Sequence, residues 1–354
     1  MLIFIAILGI GFLILIHELG HFLAAKAFGM RAEKFYLGFP PAAIKKKIGE
    51  TEYGIGFIPL GGYVKITGMT REEKVPEEVV SRAYYSKPVW QRIITISAGP
   101  LMNLLLAVFL FFIFYYQAMP EYSSTTTVAK IQMDSGAERA GIQPGDRLLA
   151  VSGVASDDPA ALRDELKSRP GETVNVLIER DGQRQNLTVT IGRQEDTGQG
   201  LLGVIFDAEL VGTMQMPLAE ASRHAISDVG FITGEVFSAI KNLVVDEKSR
   251  DELSSPIGIV AVSSQTIELG WGVYLRVLGF ISLQLAIFNM LPLLPLDGGH
   301  ILFNIIEKIK GSPIKKEVFE RVSIVGLVLF GVLFIIGITN DVQRIIGPGF
   351  EISP

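Results

Sequence analysis

The sequence predicts a multi-pass α-helical membrane protein of four transmembrane helices, with an inserted α+β domain and a β-hairpin. Three observations predict it. Of 354 residues, 49% are hydrophobic and only 19% charged, against roughly 25% charged in an average soluble chain. The apolar excess is gathered into four blocks, each long enough to cross about 30 Å of hydrocarbon as helix. The segments joining those blocks alternate in their content of lysine and arginine, as successive loops of a membrane protein do.

The first block is unbroken from residue 2 to 16 and resumes at Phe22–Ala25 after the interruption His17–His21. Ala25-Lys26-Ala27 has the small-residue form of a leader cleavage site. No Lys or Arg precedes the run, however, so it reads as a span. Similar runs occupy about 93–118, 273–296 and 322–338. Between the first two, residues 26–92 carry 12 Lys/Arg against 7 Asp/Glu, a formal +5. Residues 118–270 carry 13 against 23, a formal −10, and residues 301–321 carry 5 against 3, a formal +2. The two shorter basic loops decide the direction: they lie in the cytoplasm, with the N-terminus and the acidic middle segment outside. The domains expected are therefore 1–120 with spans one and two, 121–210 folded outside, 211–270 as an amphipathic helical linker, and 271–354 with spans three and four.

Composition also excludes. The chain has no cysteine, which removes disulfides, a thiol nucleophile and any Cys-ligated metal. A formal charge of −5, with no basic run interleaved with aromatics, gives no surface for nucleic acid.

The chemistry sits in the polar interruptions. His17-Glu18-Leu19-Gly20-His21 has the H-E-x-x-H spacing. Residues i and i+4 share one helix face, so both imidazoles reach one metal while Glu18 reaches the water on it. Two imidazoles and a carboxylate in hydrocarbon cost several kcal/mol unless paired or ligated. Only four histidines occur in the chain, and two are here. A catalytic zinc takes three protein ligands and keeps one open position. Asp297, in Asn289-Met-Leu-Pro-Leu-Leu-Pro-Leu-Asp297-Gly-Gly-His300, is the candidate third ligand. His17 lies roughly 24 Å along the first helix, toward its cytoplasmic end. Asp297 follows a third span that also runs inward, so the two reach similar depth. Asp297 could instead cap the helix that follows. His300 suits a supporting or interfacial role, because a fourth protein ligand would close the metal.

Together with Gly99-Pro100-Leu-Met-Asn103 in the second span, these motifs resemble the site-2 proteases, intramembrane zinc metalloproteases, in the bacterial branch that includes the regulator of sigma-E protease. The resemblance covers nearly the whole chain. It implies hydrolysis of a peptide bond within or beside a transmembrane segment of a membrane protein, such as an anti-sigma factor or a signal-peptide remnant. It implies zinc (Zn2+) as cofactor, His17, His21 and Asp297 as its ligands, and Glu18 as the catalytic glutamate. A bacterial inner membrane location follows, with the site near the cytoplasmic side and with lipid and transmembrane substrates as partners.

Residues 52–66 read as two short strands about a Gly61-Gly62 turn, a hairpin able to present an edge to an extended substrate. The family places a membrane-dipping β-loop here. Asn289 and Asn103 can bond an extended chain or a developing oxyanion, or can join helices. In the acidic segment, strand patterns at Val128–Gln132, Arg147–Ser152, Val174–Arg180 and Asn186–Ile191 surround a helix at Ala160–Ser168. The run Ala137–Gly153 is similar to PDZ domains of bacterial proteases, which bind peptide tails by strand addition. Gly200-Leu201-Leu202-Gly203 is then the expected carboxylate loop. One such domain is visible where the branch commonly has two. Two other functions fit part of the pattern: a scaffold binding tails without catalysis, and a metal transporter using the His/Asp cluster. Zinc content, chelator-sensitive cleavage and metal flux separate the three.

Overall fold

The computed structural model describes the chain except residues 70–72, 118, 195, 196, 247, 251, 252 and 348–354. The expected end of the second span at 118 and the tail of the expected 271–354 segment thus lie outside the described residues. The chain divides into two units, Met1–Gln117 with Met216–Pro354, and Ala118–Gln215.

In the first unit, α1 (Leu2–Ala27) is apolar on every face from Leu2 to Ile16, as a span is and a surface helix is not. It leads into β1 (Ala32–Ile48) and β2 (Thr51–Ile66), then two 3-10 turns at Glu77–Arg82 and Tyr84–Ser86, and α2 (Val89–Tyr116). The hairpin turn falls at Gly49-Glu50, where Gly49 has φ 62°, and not at Gly61-Gly62 as the sequence suggested. The first partner strand lies upstream of residue 52, where three successive lysines at 45–47 mask its alternation. Both strands bend. Lys34–Leu37 lies between Glu52–Ile55 on one side and Gly62–Lys65 on the other. Gly61, with φ 130°, serves the bend that brings the second of these segments round. Glu50 at the turn accepts from Lys26 at 2.6 Å and from both terminal nitrogens of Arg82 at 2.7 Å, which pins the hairpin to the end of α1.

The second unit holds β3 (Met119–Ile131), α3 (Gly136–Arg139), β4 (Arg147–Val151), β5 (Val154–Ala155), α4 (Pro159–Lys167), β6 (Thr173–Arg180), β7 (Gln183–Thr190), β8 (Gly192–Arg193), β9 (Gly200–Leu201) and β10 (Val204–Met214). Its main sheet runs β10-β3-β4-β6-β7, with β5 on β4. Alternating residues Val174, Val176 and Ile178 point into a core with Leu148, Val151, Leu162 and Leu202. Asp181-Gly182, both at positive φ, close the β6–β7 hairpin, as the Asp-Gly pair between alternating strands predicts. Asp158 caps α4 by accepting from the Ala160 amide at 2.9 Å, and Pro159 fills the first helical position.

Back in the first unit follow α5 (Leu218–Val245), α6 (Pro256–Glu268), α7 (Trp271–Asn289), α8 (Asp297–Lys310) and α9 (Lys316–Ile346). Of the helices described, α1, α2, α7 and α9 are long and apolar enough to cross a membrane. In lipid, apolar contact alone gives little net drive for helices to associate, and small residues permit close approach instead. Gly20 of α1 lies against the Ala98 carbonyl of α2, Gly279 of α7 against Phe111 of α2, and Gly326 of α9 against the Leu294 carbonyl. The segment expected as a linker divides differently: 216–270 belongs with the helical unit. Fully buried Ala225, with Val229 and Ile232, packs α5 onto Ala107 and Phe111 of α2 and Leu283 of α7, and Tyr115 donates to Asp228 at 2.7 Å. Asp341, wholly buried on α9, accepts from the Ser255 amide and hydroxyl and the Gly258 amide, capping α6.

Candidate metal centre

The histidines lie one turn apart on α1, four residues beyond fully buried Leu13 and on the face turned to α2. Both are 8% exposed. Asp297 comes from elsewhere: α7 stops at Asn289, a turn-rich loop carries Pro292 and Pro295, and Asp297 is the first residue of α8. It does not cap α8 with its side chain. Gly298 and Gly299 press against the carbonyls of Met290, Leu291 and Leu293, where a Cβ would collide. The loop thus folds onto the helix start and turns the carboxylate toward α1.

The three donor atoms form a triangle. His17 Nε2 and His21 Nε2 are 3.1 Å apart, and Asp297 Oδ2 lies 3.0 Å from the first and 3.3 Å from the second. Tetrahedral zinc, with ligands at about 2.0–2.2 Å, has ligand-to-ligand edges of about 3.3 Å, which these edges approach. His21 Nδ1–H donates to the Thr95 carbonyl at 2.9 Å, which leaves the Nε2 lone pair free for a metal. Asp297 Oδ2 is buried without a hydrogen-bond donor properly aligned on it, a costly state for a carboxylate oxygen unless a cation completes it. The donor set and its geometry therefore fit zinc. Among the described residues this is the His/Asp/Glu group able to hold a metal.

Other site residues predicted from sequence fall into three groups. Glu18 stands beside the triangle, with Gly62 packed on its side chain. Gly62 is therefore near the chemistry, and Gly61 is its neighbour at the bend. Asn103 is completely buried behind His17, its amide 3.5 Å from His17 Nδ1, while its backbone carbonyl accepts from Ser282 of α7. It faces the ligand and a helix contact. Asn289 donates to the Leu285 carbonyl of its own helix at 3.0 Å. In the second unit, Gly200 lies against the Leu166 carbonyl and Leu202 is in the core, so that loop offers backbone and the half-exposed Leu201 rather than the Leu202 side chain. His300 packs on Phe319 of α9, and burial holds its imidazole below the usual range.

The sequence reading missed the supports. The Thr95 carbonyl acts through backbone and leaves little side-chain signature, and nothing in the motif that contains Gly99 says that its absent Cβ makes room for both imidazoles. Arg92 and Glu307 do leave one, a charge at each end of a helical stripe that also contains a site residue.

A unit with four helices apolar enough to cross a membrane thus carries a His/His/Asp donor set that fits zinc, with a glutamate beside it. Comparison then fixes the family: the sequence model of "Peptidase family M50" matches residues 5–333, and the chain belongs to that family. Relatives agree. A protein named "putative zinc metalloprotease" from Brucella suis biovar 1 is 31% identical over 91% of this chain and 92% of its own. One of the same name from Agrobacterium fabrum is 30% identical over 96% and 95%, and one from Clostridium perfringens 31% over 97% and 98%. Among solved structures, the PDZ domain of an SdrC-like protein from Listeria monocytogenes is matched over 25% of this chain and 92% of its own, at 17% identity and TM-score 0.22. The protein is a zinc metalloprotease of the membrane.

Proposed function

We propose that the protein is an intramembrane endopeptidase that hydrolyses a peptide bond within or beside a transmembrane segment of another membrane protein. The carrying observation is the donor triangle of His17, His21 and Asp297 with Glu18 at its side, on helices whose outer faces are apolar. Bound zinc supplies Lewis acidity, lowering the pKa of a water and polarising a carbonyl. The rest falls to the chain. His17, His21 and Asp297 hold the ion, and Thr95 fixes the tautomer of His21. Glu18 takes the proton of the attacking water and returns it to the leaving amine. Gly62, packed on the Glu18 side chain, limits where its carboxylate can sit between these tasks.

A peptide bond inside a helix is shielded by its own hydrogen bonds, so the substrate has to be drawn out. Gly62–Lys65 pairs with Lys34–Leu37 on one side and, among the described residues, with no strand on the other. An extended substrate laid along that edge runs past Glu18. Gly61 and Gly62 lie at the start of that edge, and Asn289 is the side chain assigned to bond the extended substrate. The second unit acts as a PDZ-like tail binder: β10 is an edge strand and Gly200–Gly203 precedes it. The charge pattern supports a topology with the N-terminus and the acidic middle segment outside and the basic loops in the cytoplasm, and the family supports a bacterial inner membrane.

The test is direct. The purified chain in proteoliposomes with a single-span substrate is expected to cut inside or beside the apolar segment, to stop with a chelator, and to resume with zinc. A zinc-replete chain that cuts only soluble polypeptides would refute the intramembrane reading.

A further inference from the structure

Asp297 is the first residue of α8, which a loop joins to α7. The loop holds the helix start at Gly298 and Gly299, and the direction of α8 depends also on what grips its body. Four residues of α8, Asp297, His300, Asn304 and Glu307, recur at helical spacing along one stripe. The last two reach across to the segment at and before the start of α2. Glu307 accepts from Arg92 by two parallel bonds, 2.9 and 3.2 Å, and Asn304 donates to the Tyr84 hydroxyl at 2.9 Å. Arg92 also stands 5.9 Å from the centre of the Tyr84 ring.

The other end of the connection is as specific. Arg92 belongs to a stripe on α2 with Thr95, Gly99 and Asn103. Thr95 bonds His21, Gly99 leaves room for both imidazoles, and Asn103 lies behind His17. One helix therefore orients the two α1 donors and, through Arg92, the helix that carries the third. The pair itself is an expensive way to gain stability. Its side chains are only 7% and 19% exposed, and Arg92 Nε is buried with no partner. Burying such a pair often gives no net stability over apolar residues of the same volume, whereas fixing one geometry is a role for which it is suited.

We propose that Arg92 and Glu307, with Tyr84–Asn304 beside them, are positioning residues that set Asp297 against His17 and His21 and so determine metal affinity from about ten residues away along α8. The inference rests on the reading of that triangle as the zinc site. None of these four side chains touches the reacting atoms in this account.

The experiment measures zinc affinity of the full-length purified protein by competition with a chromophoric chelator, and the visible spectrum of the cobalt(II)-substituted protein. Glu307→Gln and Arg92→Lys keep size and one hydrogen bond but lose the paired fork. Each is expected to weaken zinc binding by about 10–100-fold, the usual cost of disturbing a ligand's support. Each should also move the cobalt spectrum toward that of Asp297→Asn. Asp341→Asn breaks a buried carboxylate contact on α9 away from the site. It is expected to lower the melting temperature with zinc affinity unchanged. Zinc affinity within twofold of wild type in both clamp variants, with loss in His17→Ala, would overturn the clamp alone. Equal weakening in Asp341→Asn would reduce the clamp to general stability and overturn it too. Unchanged binding in His17→Ala would overturn the zinc site and the clamp together.

Discussion

Gly62 of β2 packs so closely on Glu18 of α1 that a methyl group at position 62 would strike the Glu18 side chain near its middle. The two residues are far apart in sequence, yet the hairpin and the H-E-x-x-H helix meet at this point. Gly62→Ala is expected to displace the carboxylate without touching the metal ligands. Zinc content should stay at one per chain while turnover falls by about 10²-fold or more, the range lost with a general base. Measuring metal and turnover on the same preparation separates this from misfolding; normal turnover would show that Glu18 has room to move.

Gly99 makes the opposite prediction. Its missing Cβ leaves the space occupied by His17 and His21 Nε2. Gly99→Ala is expected to splay the imidazoles and weaken zinc binding by about 10–100-fold. Chelator competition reads this without any substrate. Wild-type affinity would mean that α2 yields and that its close approach is incidental.

The hairpin carries a pH dependence through Glu50. Hydrogen bonds from Arg82, then from Lys26, hold its carboxyl at about 2, against 4.5 for a free glutamate. A folded-state pKa below the unfolded one stabilises fully above about 4.5 and fades as pH falls toward 2. Both partners are about a third exposed, so the effect is about 1 kcal/mol or less. Glu50→Gln is expected to speed amide exchange across residues 32–66 at pH 7, with the gap to wild type narrowing as pH falls below about 4. A gap equal at pH 7 and pH 3 would contradict the ion-pair account.

What the sequence disclosed follows a physical divide. The spans were legible because hydrocarbon demands long apolar runs, and His17, Glu18, His21 and Asp297 because ionisable groups in such runs require a reason. The strands Val174–Arg180 and Asn186–Ile191 were legible from their alternation, and the Asp181-Gly182 pair between them supplies the two residues at positive φ that the turn needs. The Gly49-Glu50 turn was missed. Gly61-Gly62 offered the stronger turn composition, but tertiary structure used its freedom for a bend and a close approach to Glu18. Asn103 illustrates the limit on roles. Its side chain chemistry suits substrate or ligand alike, and only the fold puts it behind His17. The α5 helix read as an amphipathic linker because its apolar positions Ala221, Ala225, Val229 and Ile232 give a face but not what covers it; the fold packs that face on α2 and α7.

The most direct test replaces Glu18 by glutamine, which keeps shape and removes the base. The account predicts that Glu18→Gln, purified and reconstituted in proteoliposomes, binds one zinc with affinity near wild type. It also predicts that cleavage of a transmembrane substrate falls by about 10²–10⁴-fold. Cleavage at the wild-type rate by the zinc-loaded variant would contradict it.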